Sequence, residues 1–142
     1  MRTTSRVALS LFLILSFAAA ATAGDDAKKL ESTPQAKAYR VMLKAIDAGD
    51  FEAYKKSMTK EAQTSIDAQM KEMEMKPADA MKFMKAMAPA DLKFTSLKVG
   101  GKKATMMATG KVGGEPNNKG TIELAEEAGA WKIGKQSWTN TP

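Results

Sequence analysis

Near Pro89 the spacing of apolar residues changes period, and this limits the fold more than any other feature of the chain. Before it, the period is helical. Thr33-Pro34 reads as an N-cap followed by proline at the first helical position, and Tyr39, Met42, Leu43 and Ile46 then fall at i, i+3, i+4 and i+7 of one helix face. Gly49 ends that helix and Asp50 can cap a short second one carrying Phe51, Tyr54 and Met58. Thr59 caps a third, with Ala62, Ile66, Met70 and Met73 on one stripe. Pro77 opens a fourth, with Ala80, Phe83, Met84 and Met87 on its apolar side.

Beyond Pro89 the period is two. Leu92 and Phe94 alternate with Lys93 and Thr95, after which Leu97 and Val99 take the opposite parity, so a bulge is predicted near Thr95-Ser96. Gly100-Gly101 is a hairpin signal, and 104–112 reads as a second strand. A loop over 113–118, a third strand over 120–124, a turn over 126–129 and a fourth strand from Trp131 to about Trp138 complete the pattern. Helices followed by strands predict an α+β fold: N-terminal helices packed on a curved four-stranded antiparallel sheet.

The first residues have a different character. Arg2 and Arg6 precede the apolar run Val7–Phe17, and small residues follow to Ala21-Thr22-Ala23. This is the layout of a secretory signal peptide over 1–23, cleaved after Ala23. The strongly apolar stretch falls short of the about 20 residues a spanning helix needs. The expected product is periplasmic or secreted, without a membrane span in the mature chain. Residues 24–32 read as a flexible leader and 33–142 as one domain. Cysteine is absent, which excludes disulfides and a lipid-bearing N-terminal Cys. The formal net charge is +6, but Arg40 is the one arginine left after the signal peptide, and a surface of lysines argues against nucleic acid.

The run Lys44-Ala45-Ile46-Asp47-Ala48-Gly49-Asp50-Phe51-Glu52-Ala53-Tyr54, with Gly120-Thr121-Ile122-Glu123-Leu124 and Glu127-Ala128-Gly129-Ala130-Trp131-Lys132-Ile133, resembles exported domains of unknown function in the nuclear-transport-factor-like, or cystatin-like, superfamily. The likeness spans most of 33–138. It implies a conical roll whose sheet wraps a long helix and leaves a pocket at one end. Members include isomerases, dehydratases, small-ligand carriers and dimerisation modules, and curved sheets of this type often pair back to back, so a homodimer is among the implied states.

A pocket at that end is expected to draw on Tyr39, Asp47, Tyr54, Trp131 and Trp138. Histidine is absent, which removes the side chain best suited to proton transfer near neutral pH. An Asp–Tyr pair is left for a ketosteroid-isomerase-like proton transfer. Methionine is abundant, and Met81, Met84 and Met87, successive members about 60° apart around a helix, make a soft-ligand alternative for Cu(I). Filling irregular packing gaps is the commoner use of Met. No phosphate loop or calcium loop occurs in the sequence, and no cofactor is expected. The leading expectation is a non-catalytic domain that binds a small apolar ligand or an envelope protein.

Overall fold

The computed structural model describes residues 25–142; the expected signal peptide over 1–23 and its expected cleavage after Ala23 lie outside the described residues. Helices α1 (Asp25–Glu31), α2 (Pro34–Ala48), α3 (Phe51–Lys56), α4 (Lys60–Glu72) and α5 (Pro77–Met87) precede strands β1 (Ala90–Gly100), β2 (Lys103–Val112), β3 (Glu115–Glu127) and β4 (Ala130–Asn140). Three helices begin where side-chain oxygens satisfy the first free amides. Thr33 Oγ1 accepts from Ala36 N at 3.2 Å, Asp50 Oδ1 from Ala53 N at 2.9 Å and Thr59 Oγ1 from Ala62 N at 3.2 Å. α5 starts on Pro77 without a side-chain cap.

The strands form one curved, open antiparallel sheet in the order β1-β2-β3-β4. Each strand pairs with its sequence neighbour through a two-residue turn, as the closing pairs Gly100↔Lys103, Val112↔Glu115 and Glu127↔Ala130 define. The predicted bulge is present: register shifts between Phe94 and Ser96, so Leu97 and Val99 return to the face shared by Met106 and Ala104. A second irregularity, at Gly134 opposite Glu123 and Leu124, had no signal in the alternation.

One face of the sheet is buried. Leu92, Phe94, Ala104, Met106, Ala108, Ile122, Leu124 and Ile133 meet Ala36, Tyr39, Met42 and Ile46 of α2 in a single core. Tyr39 and Phe94 meet edge to face, ring centroids 6.1 Å apart. Gly120 leaves the room that Trp138 occupies, since a Cβ there would stand 2.7 Å from the indole.

Three local expectations are corrected. The 24–32 leader holds α1, which Leu30 packs against the core. Glu31 accepts from Arg40 Nε at 3.2 Å, and Arg40 also donates to Leu92 O and stands 5.2 Å over the Phe94 ring. Arg40 thereby ties α1, α2 and β1 together. The 113–118 loop is only the turn Gly113-Gly114, both at positive φ (59° and 84°) as the tightest hairpin turns require; β3 begins at once, and Asn118 Nδ2 donates to Glu115 O at 2.6 Å. The first hairpin turns at Gly101-Lys102, one residue later than expected.

The outer edge of β4 is not bare. Thr59 N donates to Ile133 O and Ile133 N to Ser57 O, both at 2.9 Å, forming a short parallel bridge. The helical layer is thus stitched into the sheet's hydrogen bonding. Among the described residues, no helix is long and apolar enough to cross a membrane.

Candidate functional site

Two clefts open between helices and sheet. The first, about 770 Å³, lies between α4 and strands β2 to β4. Ala62, Ser65, Ile66 and Gln69 of α4 form one side, and Glu61 and Glu127 are among its charged lining residues. The second, about 450 Å³, lies between α5, α2 and the opposite end of the sheet. Leu43 and Ile46 come from α2, Phe83, Met84 and Met87 from α5, Val112 from β2 and Trp138 from β4. Its polar lining is sparse: Tyr54, Glu115, Asn118, Gln136 and Asn140.

Tyr54 and Gln136 line both clefts. Behind them lies a hydrogen-bonded floor. Gln136 Oε1 accepts from Tyr39 Oη at 2.7 Å and from Trp138 Nε1 at 3.2 Å. An indole N–H can only donate, so the oxygen of Gln136 must face it. Burial pushes the Tyr39 hydroxyl far above the usual tyrosine range, against a smaller opposing effect of the neighbouring Trp138 side chain. Burial also raises the Tyr54 hydroxyl. Both phenols are therefore held as donors.

The expected site residues separate. Tyr39, Tyr54 and Trp138 converge on the α5 cleft and its floor. Trp131 packs at the core's margin and lines neither cleft. Asp47 stands on the exposed end of α2, 83% accessible, 3.4 Å from Lys85 Nζ. It lines neither cleft, because the helical period turns it away from the face that carries Ile46. The methionine triplet also divides: Met81 is buried at 3% exposure, whereas Met84 and Met87 line the α5 cleft. Gln136 was missed. Its role depends on Tyr39, far away in the chain, and only its place between Ile133 and Trp138 hinted at an inward direction. Among the described residues no cluster of three or more acidic side chains is placed to hold a metal ion.

In sequence comparisons no protein-family model and no curated protein matches the chain. The geometry of the clefts has to carry the functional reading.

Proposed function

We propose that this chain is an exported, non-catalytic binding domain that holds a small apolar ligand in the cleft between α5, α2 and the sheet, on a roll of the cystatin-like type. One observation carries the reading. An aliphatic and aromatic cleft of about 450 Å³ is walled by three layers of the fold and furnished with few polar groups. That combination and size are typical of small-molecule sites. Phe83 and Met87 at its mouth are 64% and 46% exposed, more apolar surface than a chain gains from leaving in water. Proton transfer is the weaker reading, because Asp47 is exposed outside the lining and Glu115 is the one carboxylate on it. Export rests on the N-terminal pattern, and intact mass of the mature protein should place its first residue at Gly24.

Nile red, a neutral reporter dye, tests the cleft. It should brighten on binding the purified protein, and Ala88→Trp, which fills the cleft from the end of α5, should abolish the response without changing the far-ultraviolet dichroism. No brightening, or equal brightening in both proteins, overturns the reading.

A further inference from the structure

Tyr54 is 7% exposed, yet among the described residues its hydroxyl makes no hydrogen bond. A phenol so deeply placed ordinarily finds a partner. Among the described residues no side-chain polar atom sealed from solvent is left unsatisfied, so the hydroxyl is open to solvent at the clefts that Tyr54 lines. Gln136 repeats the pattern. Its Oε1 is occupied by Tyr39 and Trp138, while its amide nitrogen, with two hydrogens, makes no bond among the described residues. Unused donors on two side chains therefore lie where both clefts meet, and the α5 cleft is the more apolar of the two. No lysine or arginine is among its lining residues, and Glu115 places a negative charge there.

We infer that the ligand of the α5 cleft is a neutral amphiphile carrying a hydrogen-bond-accepting oxygen, such as a ketone, ester or ether, seated against the Tyr54 hydroxyl and the Gln136 amide. This deepens the binding reading above and rests on it. A ligand that covers these donors without accepting from them leaves them unpaired at a cost in free energy, which favours an acceptor. A carboxylate would enter without a cation to meet it and with Glu115 to repel it. An ammonium group could pair with Glu115, but it would set its own donors against the Gln136 amide hydrogens and leave them unmet. The raised hydroxyl of Tyr54 keeps the donor protonated.

Three compounds of matched chain length separate these cases: methyl heptyl ketone, nonanoate and nonylammonium. Each is titrated into the purified protein at neutral pH, with tryptophan emission and calorimetry as readouts. The ketone should bind tightest. Tyr54→Phe should weaken the ketone roughly twofold to tenfold, the range of one neutral hydrogen bond, and leave the other two unchanged. Because this hydroxyl has no protein partner, the variant should melt with the wild type, which separates lost recognition from lost folding. Tighter binding of nonanoate or nonylammonium, or ketone binding indifferent to Tyr54→Phe, overturns the inference while the apolar cleft stands. If none of the three binds, the cleft reading falls and the inference with it.

Discussion

Tyr39 is fully buried and spends its hydroxyl on Gln136. Its ionisation in the fold is opposed mainly by burial, whereas in the unfolded chain it titrates near the ordinary tyrosine value of about 10. Since the folded protein holds its proton longer, the stabilisation is complete below about pH 10 and is lost as pH rises from there toward the folded value. Thermal melts across alkaline pH should show this decline, and Tyr39→Phe should flatten it. At neutral pH the same variant should lose about 1 kcal/mol, the net worth of one hydrogen bond. An unchanged alkaline slope would show that Tyr39 does not govern it. Residues of this kind were half legible. Tyr39 and Tyr54 stand out on apolar stripes, and so does Trp138 by alternation. Which polar atoms meet across the core depends on strand register, and a chain read one residue at a time does not display it.

At the scale of elements, α4 stands apart. Its stripe of Ala62, Ile66, Met70 and Met73 predicts a docked face, yet Ala62 alone is buried and Met73 is 58% exposed. The helix is fixed at its first turn, by the Thr59 cap and the Gln63 side chain donating to Met58 O at 3.0 Å, and by the Lys55–Asp67 ion pair. Hydrogen exchange should therefore be faster in the last two turns of α4 than in α2, whose inner face is sealed. Thr59→Ala should cost about 0.5–2 kcal/mol and speed exchange through α4 first. Equal protection of α2 and α4 would contradict this picture. Caps, prolines and the β1 bulge could be read in advance because their causes are local. α1 could not, since Leu30 packs on the core and Glu31 is held by Arg40, and neither could the first half of β3, where Glu115 and Asn118 pair with Val112 and Gly110 across a bulge that holds Asn117 at a φ of 61°.

For the whole molecule, the solvent side of the sheet matters most. Lys93, Lys98, Lys103, Lys119 and Lys135 share that side by register, around Glu123. Two copies packed back to back would bring these lysines together, and like charges in apposition oppose association. Light scattering should return the mass of one chain at low ionic strength, and any pairing through this face should strengthen as salt screens the charges. A dimer that tightens at low salt would contradict this. The α+β layering itself was readable because the change of period at Pro89 divides the chain into two architectures.

The bridge from Ser57 and Thr59 to Ile133 has a temporal consequence. Synthesis runs from the N-terminus and domains form as their parts emerge, but both hydrogen bonds of this bridge wait for Ile133 on the last strand. The helical half leaves the ribosome with that joint open, and the fold closes only once Ile133 has followed it out.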